Sequence, residues 1–427
     1  MRHVLCLGLE RMFCKAGSGP CANEQTESYA MLVPSHIARH DFASHDLVQS
    51  APGAARLAQR VDDQMHGLRN LVAEMANVLQ SGADKHPGRL GHLLLQTRQM
   101  VHNGFRVLSE AGRLRAGDAA AAAGDPERVL AQTHAWTQLT QRLHHMRLDL
   151  NNWAAVETML RPQTDGKRRP LIEPLSKLPS TAETRELVSD VLFDQIHGLL
   201  NQLTQSQEVL DNGGFADIPL AQSLFLRSVH AAKRCLMAMQ KHDDTRFLDV
   251  GCGAGIKLMS AAPFFDYCDG LEFDAGYVQL AQSILRALRD DSCQVIAGDA
   301  LEFDNYDTYD VIYFYRPLRE DALLIEMEQR IVEQASAGTL LIAPYRGFEH
   351  RAEDLGCAQV AGQLWLVGAS PRMATQLRRA AEKTGTDVLL APLSNVPLVW
   401  DPLIQASLQN GFAPKMEARN MYNQHNA

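Results

Sequence analysis

The sequence predicts an α/β fold with a mostly parallel sheet covered by helices on both faces, preceded by an all-α helical bundle domain. Between residues 246 and 369, short apolar runs alternate with longer amphipathic segments. Between residues 54 and 210, apolar residues instead recur every three to four positions over long stretches. The first pattern is typical of strands joined through helices, which form parallel sheets, and the second is typical of amphipathic helices.

The bundle is predicted from four long helical stretches, at about 54–80, 90–114, 126–160 and 180–210. The third begins at Asp125-Pro126-Glu127, where an acidic N-cap precedes a proline at the first helical position. An alanine-rich loop is expected at 119–123. Two roles stay open for the bundle: it roofs a functional site, or it joins copies of the chain into a homo-oligomer.

The sheet is predicted from apolar runs bounded by turn residues. The expected strands are Phe247–Val250, Gly270–Phe273, Gln294–Ala297, Val311–Tyr315, Thr339–Ala343 and Leu364–Val367. The expected helices are Leu220–Gln240 before the first strand, Ile256–Ala262, Ala275–Arg289 and Ala322–Gln334 between strands, and Met373–Lys383 after the last. A further strand is expected at Asp387–Ala391.

These patterns predict four segments along the 427 residues. They are a poorly ordered leader (1–52), a helical bundle domain (53–215), a ligand-binding sheet domain (216–370) and a C-terminal extension (371–427).

Composition narrows the function classes. A net charge of −9 and 6% aromatic residues disfavour a nucleic-acid-binding surface, although the basic run 167–169 keeps a local phosphate contact open. No apolar stretch reaches the length of a membrane span, so we expect no membrane partner. The eight cysteines include no C-x-x-C pair, which predicts free thiols, a cytoplasmic location and no metal site.

A constellation of motifs marks the functional region. Asp249 opens the run Asp-Val-Gly-Cys-Gly-Ala-Gly, and an acidic residue, Glu272, ends the next strand. The turn glycines let the backbone approach a ligand closely, and a carboxylate at that position can accept hydrogen bonds from two ribose hydroxyls. The dinucleotide pattern G-x-G-x-x-G/A fails at Ile256.

Two further motifs follow in order, Gly298-Asp-Ala after the third strand and Tyr309-Asp-Val-Ile-Tyr-Phe-Tyr at the fourth. With all four motifs, residues 216–369 resemble the class I (Rossmann-like) S-adenosylmethionine-dependent methyltransferases. The resemblance implies S-adenosylmethionine as the cofactor and an unidentified methyl acceptor as the partner. A small molecule or a protein is favoured over nucleic acid as that acceptor.

The resemblance also implies roles for single residues. Gly251, Gly253 and Gly255 would form the loop against the methionine part of the cofactor, which Asp249 would orient near the amino group. Glu272 would hold both ribose hydroxyls.

The remaining implied contacts concern the adenine ring. Asp299 would accept a hydrogen bond from the adenine amino group, and the Ala300 backbone amide would face the ring. Phe273 and Leu301 would pack on its two faces.

The acceptor side is predicted at the fourth strand, where Tyr313, Tyr315 and Arg316 are candidates to line the site. The alternative for Tyr313 is packing in the sheet, and for Arg316 it is an ion pair with a surface acid such as Glu320. The segment lacks both the Asn-Pro-Pro-Tyr motif of N6-adenine and glutamine methylating members and a Pro-Cys nucleophile. Those acceptor classes are therefore disfavoured.

Catalytic residues are not identified by the sequence. Tyr345 and His350, just after the fifth strand, are candidate general bases by position alone. Two functions stay open: an active methyltransferase, or a helical scaffold whose methyltransferase-like domain binds the cofactor with little or no turnover.

Overall fold

A computed structural model describes residues 51–81, 88–173, 180–200, 220–288, 292–389 and 398–414. The described residues form two compact units, one at 51–166 with 398–408 and 412–414, the other at 167–389 with 409–411. This division differs from the sequence-based boundary at residue 215, because the helix that begins at Ser180 belongs to the unit with the sheet. Most of the predicted leader lies outside the described residues.

The first unit is built from α1 (Pro52–Gln80), α2 (Arg89–Ala122) and α3 (Pro126–Thr164) around an apolar core. The predicted cap of α3 is confirmed, since the Asp125 carboxylate accepts hydrogen bonds from the Glu127 and Arg128 amides at 3.1 Å. The predicted alanine-rich loop at 119–123 is wrong. Alanine is the strongest helix former and neither glycine nor proline lies between Asp118 and Ala123, so α2 continues to Ala122.

The helices of the second unit follow in chain order. They are α4 (Ser180–Leu200), α5 (Gln222–Ala238), α6 (Ile256–Ala261), α7 (Ala275–Leu288), α8 (Asp321–Gln334), α9 (Arg346–Arg351) and α10 (Pro371–Ala381). Helix α9 was not predicted from the sequence. Of the helix predicted at 180–210, the structure describes residues 180–200.

Seven strands in the described residues form one sheet. They are β1 (Arg246–Val250), β2 (Tyr267–Glu272), β3 (Cys293–Ala297), β4 (Val311–Phe314), β5 (Leu340–Ile342), β6 (Cys357–Ala361) and β7 (Leu364–Val367). The order is β3-β2-β1-β4-β5-β7-β6, with β1–β5 parallel and β7 antiparallel to both β5 and β6. The Rossmann-like α/β fold is thus confirmed, and β7 lies where the doubly wound order would place a sixth strand.

Six of the strands were predicted and β6 was missed, because Cys-Ala-Gln-Val-Ala is short and interrupted by a glutamine. The strand predicted at 387–391 is not seen at residues 387–389, and its last two residues lie outside the described part.

Alternation along the strands builds two apolar layers. Val311 and Tyr313 of β4 pack with α5 on one face, while Ile312 and Phe314 pack with α8 and α9 on the other. Because the central strands β1, β4 and β5 are buried on both faces, they read as nearly continuous apolar runs, whereas the edge strand β3 has exposed residues at Gln294 and Ala297. This arrangement brings the carboxyl ends of β1–β5 to one edge of the sheet.

Helix α4 has an unusual polarity within this unit. Its buried residues are Glu186, Ser189 and Phe193, and Asp190 on the same side accepts hydrogen bonds from the Ser223 amide (2.6 Å) and hydroxyl (2.8 Å) at the start of α5. Its exposed large side chains are apolar: Leu187, Val188, Val191, Leu192, Ile196 and Leu199. Polar contacts and one aromatic ring therefore hold α4 on the unit.

The last described helix, α11 (Asp401–Gln409), was also missed by the sequence analysis and contributes to the core of the first unit. Trp400 is fully buried, donates its indole N–H to the Asp149 carbonyl at 2.7 Å and lies 5.1 Å from the Trp153 ring. The predicted C-terminal extension thus supplies α10 to one unit and α11 to the other.

Two further findings concern the described residues as a set. None of their helices is both long enough and apolar enough to cross a lipid bilayer. Their cysteines, all buried, are free: Cys235, Cys252, Cys268, Cys293 and Cys357.

A buried arginine joins α5, α10 and the segment before α4. The Arg234 guanidinium donates to the carbonyls of Pro170 and Arg169 at 2.8 Å, and to Ala381 and Thr384 of the α10 end. Burial lowers its pKa to about 10, so it remains charged at neutral pH. The basic run at 167–169 is thus held through its backbone.

We expect Arg234→Met to lower the free energy of unfolding by about 3–5 kcal/mol, because several buried carbonyls lose their donor together. Arg378→Ala, which removes an exposed arginine of α10, is the matched control and should change stability by less than about 0.5 kcal/mol. Urea denaturation followed by circular dichroism measures both. Equal stabilities of the two variants would contradict the role given to Arg234.

Candidate functional site

A glycine turn after β1 forms the centre of the site. Gly251, Gly253 and Gly255 have φ angles of +77°, +54° and +72°, a region that side chains disfavour. The Gly251 amide donates to the Leu271 carbonyl at 2.8 Å, which ties the turn to β2. A Cβ atom on Gly251 would lie 2.6 Å from Cβ of Pro317, so the turn also packs directly against the segment that follows β4.

Glu272, at the end of β2, holds the turn from the other side. One carboxylate oxygen accepts from the Gly253 amide at 2.8 Å and the other from the Asp274 amide at 2.9 Å. Burial raises the pKa of the carboxyl group, and hydrogen bonds from the amides of Asp274, Gly253 and Phe273 oppose the shift only in part. An ionised carboxylate has about four acceptor positions, so these amides still leave acceptor capacity for a ligand.

Asp249 lies within β1, just before the turn, and is 2% exposed. In the sheet register it stands between Gly270 of β2 and Tyr313 of β4. It is a buried acid beneath the turn, which suits the orienting role that the family resemblance implies.

The end of β3 lies beside the end of β2. The Gly298 amide donates to the Glu272 carbonyl at 3.0 Å, and the next residue, Asp299, uses its carboxylate to accept from the Leu301 amide at 2.8 Å. The Ala300 carbonyl accepts from the Tyr306 hydroxyl at 2.9 Å.

The apolar candidates for an adenine ring differ in their packing. Phe273 is 42% exposed, whereas Leu301 packs against the apolar layer around Ile312 and Phe314. The structure therefore brings Glu272 and Asp299 to adjacent strand ends, with an exposed aromatic ring next to Glu272.

Helix α4 covers the outer side of the turn, a feature that the sequence analysis missed. Phe193 packs with Ala254 and Ile256 of the turn and with Tyr277 of α7. The Lys257 ammonium lies 3.9 Å from the centre of the Phe193 ring and donates to the Leu220 carbonyl at 2.8 Å. In sequence, most of the large apolar residues of α4 lie on its opposite, exposed face, so periodicity did not single out Phe193.

The three acceptor-side candidates differ in how far they are buried. Tyr313 is 4% exposed and lies in the core, 5.0 Å from the ring of Phe225, so it takes the packing alternative and does not line the sheet edge. Tyr315 is half-buried against the same layer. Arg316 is exposed at the edge, and its guanidinium lies 3.7 Å from the Asp321 carboxylate, which takes the place expected for Glu320.

The residues after β5 form a buried polar network. The Glu328 carboxylate of α8 is fully buried and accepts from the Tyr345 hydroxyl at 2.6 Å and from the Arg351 guanidinium at 2.6 and 2.7 Å. Burial, followed by the Glu328 charge, raises the pKa of Tyr345 above its ordinary value. Tyr345 therefore serves as a hydrogen-bond donor to Glu328 and is unsuited to act as a general base.

His350, the other candidate base, lies exposed on α9. In the part of the chain that the structure describes, no three His, Cys, Asp or Glu side chains gather where they could hold a metal ion.

The packing of the turn against Pro317 leads to a stability prediction. Gly251→Ala and Gly356→Ala both place a methyl group at nearly the same φ, +77° and +78°, which costs about 1–2 kcal/mol. Only the first methyl meets a neighbour, since nothing lies within 4 Å of a Cβ on Gly356. We expect Gly251→Ala to lower the free energy of unfolding further than Gly356→Ala by about 1–3 kcal/mol. Equal losses in urea denaturation would contradict the close packing.

Comparison with known proteins gives matches to solved structures only. No family model matches the chain, and no curated protein matches it. An amino-pentose methyltransferase of calicheamicin biosynthesis from Micromonospora echinaspora, bound to S-adenosylmethionine, is 25% identical with a TM-score of 0.24. A precorrin-6y C5,15-methyltransferase from Geobacter metallireducens is 15% identical with a TM-score of 0.26. An S-adenosylmethionine-dependent methyltransferase from Clostridium acetobutylicum is 13% identical, also with a TM-score of 0.26.

These matches are partial on both sides. They cover 34%, 34% and 35% of this chain, and 57%, 78% and 55% of the respective proteins. The chain thus spans little more than half the length of two of them. Because the TM-scores are low, the fold assignment rests on the strand order and register of the sheet. Over about a third of its length, the chain is similar to S-adenosylmethionine-dependent methyltransferases.

Proposed function

We propose that the chain is an S-adenosylmethionine-dependent methyltransferase that binds its cofactor across the carboxyl ends of β1, β2 and β3. The observation that carries the proposal is the hydrogen bond from the Gly253 amide to the Glu272 carboxylate. It places an acid with remaining acceptor capacity directly against a glycine turn, where a ribose can approach the backbone.

The residues at this edge fit the chemistry of the cofactor. When bound, the cofactor supplies a methyl group on a positively charged sulfur, and in-line attack by the acceptor displaces a neutral thioether. Asp249, Glu272 and Asp299 would give the site of this cationic cofactor an acidic lining, with Asp249 near the methionine amino group. In the proposed assignment Glu272 accepts from the ribose hydroxyls, Asp299 from the adenine amino group, and Phe273 covers the ring.

Alignment and exclusion of water are the main tasks left to the protein. The glycine turn is fixed on one side by Pro317 and covered on the other by Phe193 of α4. A turn held in this way would keep the cofactor's position constant while an acceptor enters from the β4 side. The acceptor is proposed to be a small molecule or a protein.

A second candidate function is a scaffold that binds the cofactor with little or no turnover. It is favoured by one observation, the engagement of Tyr345 with Glu328, which removes a candidate base from the acceptor side. Transfer of a labelled methyl group to components of a cell extract distinguishes the two functions, because only the enzyme consumes the cofactor. Homo-oligomerisation and a cytoplasmic location stay predictions.

We expect Glu272→Ala to weaken S-adenosylhomocysteine binding by about 1–3 kcal/mol, because charge-assisted hydrogen bonds to the ribose are lost. Glu333→Ala, which removes an exposed acid of α8, is the control and should bind like the wild type. Isothermal titration calorimetry measures both affinities. Unchanged affinity in Glu272→Ala would show that the ribose assignment is wrong, and no binding by the wild type at millimolar ligand would exclude both functions.

The raised pKa of Glu272 predicts a pH dependence of cofactor binding. The ionised carboxylate is the form that accepts from the ribose, so affinity is full above this pKa and falls as the pH drops through it. Because burial raises the pKa, the loss should begin at a higher pH than for an ordinary glutamate. Glu272→Gln should remove this dependence in calorimetry between about pH 4 and pH 8. A wild-type profile that Glu272→Gln reproduces would contradict the assignment.

A further inference from the structure

Exposed arginines follow the strands next to the proposed cofactor site. Acidic residues stand at β1, β2 and β3, where the cofactor is proposed to bind. Arg316 and Arg319 come after β4, and Arg346 comes after β5. All three are exposed, in a chain whose net charge is −9, and the exposed acids Glu320 and Asp321 follow Arg319. The side of the edge that would receive an acceptor thus offers single guanidinium groups within a segment of mixed charge.

Arg316 has a strained backbone. Its φ of +46° lies in the left-handed region, which non-glycine residues disfavour because the Cβ atom comes too close to the following carbonyl oxygen. The other described non-glycine residues with positive φ, Gln240 and Asp244, lie in the loop between α5 and β1. The following proline adds a constraint, since a residue before proline is disfavoured in the right-handed helical region.

The strain is held by the packing of the site itself. Pro317 sits against the glycine turn, so the backbone of Arg316 is fixed next to the place where the cofactor's methionine part is proposed to lie. Strained residues held in this way concentrate at binding sites. The strain keeps Arg316 at the sheet edge between the turn and the residues that follow β5.

The Asp321 carboxylate shows the kind of group that the guanidinium attracts. Their contact is long, at 3.7 Å, and the two side chains are 44% and 85% exposed. An exposed ion pair of that kind contributes little to stability, so an anionic ligand can replace the Asp321 carboxylate. A bidentate pair with a carboxylate or a phosphate is stronger and more directional. The Arg316 charge also acts on Tyr345, whose pKa it lowers slightly against the larger effects of burial and Glu328, which places Arg316 near the end of β5.

We propose that the methyl acceptor is an anionic small molecule whose carboxylate or phosphate group binds Arg316, and that Arg316 determines this specificity. The inference rests on the proposed function and names its substrate class. Arg316 takes no part in bond making: it holds the acceptor by its anionic group, so that a different atom of the acceptor attacks the methyl carbon.

The main competing partner for Arg316 is the carboxylate of the cofactor itself, which also lies on the glycine turn in the proposed pose. The two assignments differ in what the loss of the charge should change. Removal of an acceptor contact changes transfer and leaves cofactor affinity intact, whereas removal of a cofactor contact weakens cofactor binding first.

The test compares the full-length wild type with Arg316→Gln, Arg316→Lys and the control Arg372→Gln, which removes an exposed arginine of α10. Glutamine removes the positive charge but keeps a polar side chain on the same strained backbone. The comparison of Arg316→Gln with the wild type therefore tests mainly the effect of the charge. Calorimetry gives S-adenosylhomocysteine affinity. Transfer of labelled methyl is then measured with a small-molecule cell extract divided on an anion-exchange resin into retained and unretained fractions.

We expect label in the retained fraction, with S-adenosylhomocysteine affinity of every variant within about twofold of the wild type. Transfer by Arg316→Gln should fall by about tenfold or more, corresponding to roughly 1.4 kcal/mol, with Arg316→Lys between the two. Arg372→Gln should match the wild type. Phosphatase treatment of the retained fraction separates the two sources of charge, because loss of labelling identifies a phosphate and persistence a carboxylate.

Three outcomes would overturn the inference while the cofactor still binds. They are labelling of the unretained fraction alone, transfer by Arg316→Gln equal to the wild type, and weakened cofactor binding in Arg316→Gln, which assigns Arg316 to the cofactor carboxylate. Cofactor binding without labelling of either fraction would overturn the transferase function and the inference with it. Absence of cofactor binding by the wild type would instead show that the proposed function itself is wrong.

Discussion

The hydrogen bond between the Gly253 amide and the Glu272 carboxylate is the contact on which the candidate site depends. It joins the turn after β1 to the end of β2, the two segments that would hold the ribose-bearing cofactor in the proposed assignment. The Glu272 side chain is half-buried between them. Burial alone disfavours the ionised carboxylate, and hydrogen bonds from the Gly253 and Asp274 amides stabilise it in part. A ligand with two hydroxyl donors would stabilise the ionised carboxylate further.

The rest of the second unit keeps this contact in register. Tyr313 packs on Phe225, which holds β4 against α5. The residues that follow β4 then reach the glycine turn, where Pro317 packs against Gly251. Arg234 of α5 stabilises the unit further from the site. Its guanidinium donates to the Pro170 carbonyl before α4 and to the Ala381 carbonyl at the end of α10. A buried guanidinium can do this because one planar group donates to several carbonyls in fixed directions. The site is thus rigid on its β4 side by packing.

Sequence alone predicted the parts of the fold that obey a simple period. Six strands, and the helices α6, α7 and α8 between them, follow apolar runs and turn residues, and the cap at Asp125 follows from its side chain. The failures have separate physical reasons. Ala119–Ala123 was predicted to be a loop because it contains no large apolar side chain. Alanine nevertheless favours the helix, since it loses no side-chain entropy there. Strand β6 was missed because it borders the sheet, where a short strand tolerates a polar residue.

For the candidate site, the sequence singled out residues whose proposed roles depend on the backbone, such as Gly251 and Glu272, because their spacing is fixed by strand and turn lengths. It did not locate Phe193 or Glu328, whose roles depend on contacts between distant elements. Tyr313 shows that a strand pattern alone does not distinguish a core residue from one that lines a site. Alternation along β4 places residues 311 and 313 on the face toward α5, and only the position of that helix decides that Tyr313 is core.

The sheet order also decides where an anionic acceptor can approach. Acids that accept from a cationic, hydroxyl-bearing ligand would repel an anionic acceptor if both shared one side of the turn. Because β1 lies between β2 and β4, the ends of β2 and β4 open on opposite sides of the turn. In the proposed arrangement, the strained Arg316 on the β4 side offers the acceptor a cation away from Glu272 and Asp299. Glu320 and Asp321 follow on the same side, so the attraction would come from this one guanidinium and not from a basic surface.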